Sequence, residues 1–185
     1  SGDALQYASD ELKADKEVVM VAGKNSGDAL QYASDELKTD PEILALVKEV
    51  VMAEVKDYGN ALQHVSDELK ADKEVVMVAI KNSIGAFEYA SDELKADKEV
   101  VMAAVKDYGD GLQYASDELK ADKEVVMAAV NNDPGALQYA SDELKADREV
   151  VMAAGGWGLR HASDELRADK EVVMAAVKND GAFGL

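Results

Sequence analysis

Cysteine is absent from the 185 residues, so disulfides, thiol nucleophiles and thiolate metal sites are excluded, and nothing argues for an oxidising compartment. Long apolar runs are missing too: stretches such as V-V-M-V-A-I at Val75 to Ile80 fall far short of the ~20 residues a membrane span requires. Positive charge is scarce. With 20 basic against 38 acidic side chains the formal net charge is -18, which repels phosphate backbones and anionic headgroups and makes nucleic acid and membrane surfaces poor partners. Histidine occurs only at His64 and His161, and with no second histidine beside either, neither a zinc site nor a nucleophile and base pair can be assembled. G-G-W-G at Gly155 lacks the Lys-Ser or Lys-Thr that a phosphate loop needs. No catalytic, cofactor-binding or metal residues are assigned, and the chain is not expected to be an enzyme. No secretory or transit segment is visible, although the chain opens at Ser1 without an initiator Met, and a soluble protein is expected.

What is present is one phrase written seven times. Ser-Asp-Glu-Leu begins at Ser9, Ser34, Ser66, Ser91, Ser116, Ser141 and Ser163, each time followed by a close relative of K-A-D-K-E-V-V-M-A-A-V-K-N. A fixed period of this length implies a stack in which no single unit buries its own apolar face, so the expected fold class is an all-α solenoid of seven short two-helix repeats. In the first copy Asp3 and Gln6 have capping-box spacing, repeated by Asp28 with Gln31 and Asn60 with Gln63, which predicts an amphipathic first helix of about ten residues. Asp15 reads as the N-cap of a second, more buried helix with Glu17 in its first turn and Lys24 in its last. Leu12, Val18, Val19 and their counterparts are the expected core. Gly27, Gly59, Gly85, Gly109, Gly135 and Gly181 mark turns where a left-handed or tight backbone is expected.

Segments such as A-L-Q-Y-A-S-D-E-L-K-A-D-K-E-V-V-M-A-A-V resemble the repeat family catalogued as domain of unknown function 4116, over essentially the whole chain. The resemblance implies a tandem α-helical repeat and carries no set of functional residues.

Two intervals break the 25-residue period. The second is 32 residues, because Pro41, Glu42, Ile43, Leu44, Ala45, Leu46 and Val47 are additional. Seven residues turn a helix by about 700°, so the insertion lengthens the second helix, from about Pro41 to Lys56, while keeping its facing. The extra turns either pack on adjacent loops or leave Ile43, Leu44, Leu46 and Val47 as an apolar ledge for a partner. The last interval is 22 residues and carries Trp157, the single tryptophan, which either fills the gap left by a missing turn or anchors a partner. Tyr58 and Tyr108 in K-D-Y-G turns are read as turn packing. His64 and His161 occupy a position held elsewhere by Tyr7, Tyr32, Tyr89, Tyr114 and Tyr139, which suggests a partly buried side chain with a polar tip.

Repeated acidic clusters such as Asp10, Glu11, Asp15 and Glu17 invite a calcium reading, but they lack the D-x-D-x-D-G loop and are interleaved with Lys13 and Lys16, so a solvated helix face is the better reading. Each repeat serine is expected to back-bond to a helix carbonyl or to bridge helices. The function expected on these grounds is a non-catalytic scaffold for protein partners. The alternatives are a structural spacer or assembly element whose ends stack on other protein, and, weakest, an acidic cation buffer. Neither end carries a polar cap and Gly181 to Leu185 begin an eighth copy, so a single array cut from a longer chain, or one with covered ends, is expected.

Overall fold

The computed structural model describes residues 2–180. Residues 1–91 and 92–185 form two compact units. Among the described residues every regular element is helical, and none is long and apolar enough to cross a membrane.

The region expected to be one ten-residue helix is instead two pieces. In the first copy these are a 3-10 segment, Gly2–Tyr7, and a single α-turn, Asp10–Lys13. The break falls at Ser9, whose backbone is extended and whose Oγ accepts a long hydrogen bond of 3.4 Å from Leu12 N–H. Ser34, Ser116, Ser141 and Ser163 repeat this bond. S-D-E-L is thus an N-cap followed by two acidic residues in the first turn, a start signal that competes with continuing the preceding segment. These five serines therefore cap helices and do not back-bond within them. The N-cap positions of Gly27–Tyr32 and Gly59–His64 fall to Ser26 and Tyr58, neither of which makes a side-chain cap, so Asp28 and Asn60 lie inside these segments and not at their caps.

The second helices follow the reading closely. In the first unit they are α1 (Lys16–Asn25), α2 (Pro41–Asp57) and α3 (Lys73–Asn82). In the second unit they are α4 (Lys98–Asp107), α5 (Lys123–Asn132), α6 (Arg148–Leu159) and α7 (Lys170–Asp180). Each begins at an aspartate, from Asp15 to Asp169, whose carboxylate accepts from backbone N–H groups of the first turn.

Within the first unit α1 packs on α2 and α2 on α3; within the second, α4 to α7 pack in order. Val75, Val76, Ala79 and Ile80 of α3, like Val125, Val126, Ala129 and Val130 of α5, are buried on two sides of their helices. Leu62, Phe87, Leu112 and Leu137 of the 3-10 segments fill the space beside them. At about 1.5–3 kcal/mol for each fully buried aliphatic side chain, this repeated contact outweighs the weak intrinsic stability of ten-residue helices. No polar or charged side chain is buried among the described residues.

A polar ladder runs beside the apolar one. Lys16 reaches the cap Asp40 at 2.9 Å and Glu42 at 2.8 Å in the next copy. Lys98 does the same to Asp122 and Glu124, Lys123 to Asp147 and Glu149, and Arg148 to Asp169 and Glu171. Backbone bonds accompany these pairs: Ser34 N–H donates to the Lys13 carbonyl, Ser91 to Lys70, Ser116 to Lys95, Ser141 to Lys120 and Ser163 to Lys145, all at 2.8–2.9 Å. Lysines that in sequence look like charge scattered over a solvated face are therefore links between copies.

The turn glycines act through space and not through handedness. Gly155 is the one described residue with positive φ, at 61°, whereas Gly27, Gly59 and Gly109 lie where a side chain would strike the next copy. Gly181 lies outside the described residues.

Candidate functional site

The seven inserted residues put a step into the first unit. Lys16 at the start of α1 pairs with Asp40 and Glu42 at the start of α2, but Lys48, two turns further along α2, pairs with Asp72 and Glu74 of α3. One helix therefore holds two registers, its first turns matched to α1 and its later turns to α3. The offset of seven residues amounts to about 10 Å at 1.5 Å per residue. Side-chain volumes are exchanged to suit: Gly23 of α1 meets Val47 of α2, where ordinary copies carry Val105 and Ala129 at the equivalent positions.

This step decides the fate of the expected ledge. Ile43 and Val47 are fully buried, on the side of α2 that faces α1, and Leu44 and Leu46 are half-buried. Because the heptad insertion preserves phase, its apolar positions continue the core stripe and meet α1, so no four-residue ledge stands open. What the step uncovers lies elsewhere. Ser66 N–H makes no bond to the Lys38 carbonyl, and Ser66 does not cap its turn; its buried Oγ has no partner. His64 is exposed, whereas Tyr89, Tyr114 and Tyr139 are half-buried as expected. A cavity of about 90 Å³ opens there, lined by residues that include Asp28, Gln31, Val47, His64 and Ser66.

Electrostatics at the step differ from those of the ladder. Hydrogen bonds from lysine, followed by backbone N–H groups, hold the carboxyls of Asp40, Asp122 and Asp147 below the usual aspartate range and outweigh desolvation. The partner lysines Lys16, Lys98 and Lys123 are raised by the same bonds. A lowered carboxyl contributes stability above its unfolded pKa and loses it as pH falls through the folded value; a raised lysine loses its contribution only as pH rises past its own. The ladder is therefore intact from about pH 5 to about pH 9.

Glu54 goes the other way: although the residue is exposed, partial desolvation first and the neighbouring Asp28 charge second raise its carboxyl. Its contribution is greatest while protonated and is lost as pH rises through the raised value, so ionised Glu54 opposes folding at neutral pH. Glu54→Gln is expected to raise the melting temperature at pH 7 and to make little difference near pH 4, where the parent side chain is largely protonated. Paired thermal melts at the two pH values check this, and an equal shift at both would remove the titration argument.

Two surface features complete the inventory. Met52, Ala53 and Val78 floor an open groove between α2 and α3, bordered by Lys56, Lys81 and Asn82 and about 680 Å³ in volume. In the second unit α6 is interrupted at Gly155 (φ 61°, ψ -158°), and beyond it Gly158 closes onto the neighbouring 3-10 segment, where a Cβ would lie 3.2 Å from the Pro134 carbonyl. Gly158 occupies the inward position, so Trp157 does not plug the shortened junction and its side chain is 70% exposed. Tyr58 is likewise exposed and does not pack in its turn. Sequence reasoning missed the step's second face, though the recurrence of Lys and Asp 24 residues apart at Lys16 and Asp40, Lys48 and Asp72 was a readable signal of it. Among the described residues no group of three or more His, Asp or Glu side chains is gathered around a common point that could hold a metal ion.

No curated protein and no solved structure matches the chain. A family model described as Domain of unknown function (DUF4116) matches it six times, over residues 1–44, 48–95, 72–120, 97–136, 122–154 and 155–183. The first two matches part inside the inserted turns of α2, where the register steps. Tandem matches along nearly the whole length, laid on helical copies that stack through one repeated set of contacts, place the chain in the family Domain of unknown function (DUF4116).

Proposed function

We propose that the chain is a non-catalytic scaffold that holds a protein partner, with Trp157 as an anchor. The observation that supports this reading is the exposure of the chain's single tryptophan, at 70%, beside the one left-handed glycine among the described residues. A large aromatic side chain is among the most productive anchors at protein interfaces, and a rigid helical array presents it at little conformational cost. Leu44 and Leu46 are secondary candidates because half of each side chain is already committed to the fold.

The test compares proteins cross-linked to the parent chain and to Trp157→Ala in an extract of the native source, followed by titration of the captured protein. Truncating a central anchor is expected to weaken binding about 30-fold, equivalent to ~2 kcal/mol, with helicity and melting temperature unchanged. Equal capture and affinity would move the docking surface elsewhere, and a fall in melting temperature without loss of binding would make Trp157 a structural residue.

A further inference from the structure

Three residues around the step depart from the pattern of the repeat itself. Glu54 stands where the other six copies carry alanine, a position that is buried at Ala79, Ala104, Ala129, Ala154 and Ala176. His64 replaces the tyrosine of five copies, and Val65 stands where every other copy has alanine. All three meet at one place. His64 and Val65 line the cavity of about 90 Å³, and Glu54 lies against Gly27 of its wall, its Oε2 3.8 Å from where a Cβ on that glycine would be.

The cavity arises because the step parts two walls that ordinary junctions press together. The 3-10 segments Gly59–His64 and Ile84–Tyr89 pack on one another, as do Gly109–Tyr114 and Pro134–Tyr139, whereas Gly27–Tyr32 and Gly59–His64 pack chiefly on α2. Leu30, Val47 and Val65, all buried, form the apolar side of the opening. Asp28 and Ser66 form its polar side, and the exposed Gln31 and His64 stand at its mouth.

Two groups there lack what desolvated polar groups need. Ser66 Oγ is buried and has no hydrogen-bond partner, a condition uncommon in folded proteins. The Glu54 carboxylate is partly desolvated and faces the charge of Asp28, and no cation offsets either effect. The charge of the site therefore selects a cation. Its aliphatic side selects an organic one, and no three acidic or histidine side chains among the described residues converge to hold a metal ion. At about 30 Å³ for each water-sized group, the volume admits roughly three heavy atoms, enough for an ammonium and the start of a carbon stem and too little for a sugar or a base.

We propose that the step binds a primary alkylammonium group, which donates to Ser66 Oγ and the Asp28 carboxylate while Glu54 supplies a second negative charge and Leu30, Val47 and Val65 hold the stem. An ammonium has three N–H donors and no acceptor, and a hydroxyl can turn its own proton away to accept one of them. A carboxylate offers about four acceptor sites, so Asp28 takes this donor alongside its existing interaction. Glu54, which opposes folding at neutral pH, is then a binding charge. The group arrives on a free polyamine or on a lysine side chain of another protein, and none of the site's residues belongs to the second unit.

A nuclear magnetic resonance titration of the chain tests this, run at about 0.15 M salt so that diffuse attraction to the net charge is screened. The probes are putrescine for a free amine, N-acetyl-lysine methylamide for a protein side chain, and n-butanol as the neutral control. Saturable shifts confined to the amides of Ser66, Val65, Gln31 and their neighbours are expected with at least one amine and not with the alcohol; the tighter amine identifies the source. Glu54→Gln is expected to weaken binding about tenfold while the melting temperature at pH 7 rises, and Ser66→Ala to weaken it about fivefold with the melting temperature unchanged. Shifts spread over the acidic turns of every copy would mean counter-ion attraction without a site and would overturn the proposal. So would the absence of saturable shifts with both amines, equal saturation by n-butanol, or affinity that neither substitution changes.

Discussion

Gly109→Ala is expected to destabilise the second unit by about 3 kcal/mol, the upper end of over-packing costs, while Gly135→Ala at the corresponding turn one copy later changes stability by less than about 1 kcal/mol. The two glycines mark the same turn but stand one place apart in the repeat, Gly109 aligning with Pro134 and Gly135 with Asp110. A Cβ on Gly109 would lie 2.5 Å from the Ala129 carbonyl and 2.7 Å from Asp133 Cβ. Both obstacles belong to the neighbouring copy's packed helix end, and the first is backbone, which cannot rotate out of the way. Asn132 adds to the constraint, since its Oδ1 accepts from Gly109 N–H at 2.8 Å and its Nδ2 donates to the Lys106 carbonyl, so any outward shift of the turn also breaks a clamp between copies. On Gly135 the nearest neighbour of a Cβ is the Asp133 carboxylate at 3.2 Å, the end of a side chain that can move. Denaturant melts of the two variants decide the matter. Equal effects would mean that these glycines serve backbone conformation after all.

Removing residues 41–47 from the start of α2 is expected to be tolerated, provided two compensating changes accompany it. The deletion joins Asp40 to Lys48 and restores the 25-residue interval between Ser34 and Ser66. It brings Gly23 opposite Glu54, at positions where ordinary copies place Val105 and Ala129. Alone, therefore, the deletion lowers the melting temperature, because it leaves a void and turns a carboxylate toward the core. Combined with Gly23→Val and Glu54→Ala it is expected to restore melting to the parent value or above. The gains are a Ser66 N–H bond to the Lys38 carbonyl and a Ser66 cap on Leu69 N–H, each worth about 1 kcal/mol. Thermal melts measure the net effect, and hydrogen exchange at the Ser66 amide reports the new bond directly. If the triple variant unfolds the first unit, the step is a required part of the fold and not an accommodated insertion.

The parts of this structure that were legible in the sequence are those decided within one helical turn. Asp15 and its counterparts cap second helices because a carboxylate three residues before a free N–H is sufficient cause, and Asp40 with Pro41 marks the start of α2 for the same reason. The S-D-E-L break was equally local, since Ser9 stands three residues before Leu12 N–H, but it competed with a second plausible cap upstream and the choice between them depended on packing.

Burial of the interior valines, the repeat count and the all-α class followed from periodicity, since a repeated apolar stripe must be covered by its neighbours. Tertiary structure alone decided which copy meets which register. Lys16 and Asp40 are 24 residues apart, and no local rule brings them within 2.9 Å; that pairing, and the second pairing from Lys48, is what buried Ile43 and Val47 and exposed His64. It likewise decided that Leu12 is half in solvent while Leu119, in an almost identical stretch of sequence, is covered. The physical reason is that burial in a repeat array belongs to the pair of faces in contact: the same residue type is covered in an interior copy and stands partly in solvent in the first.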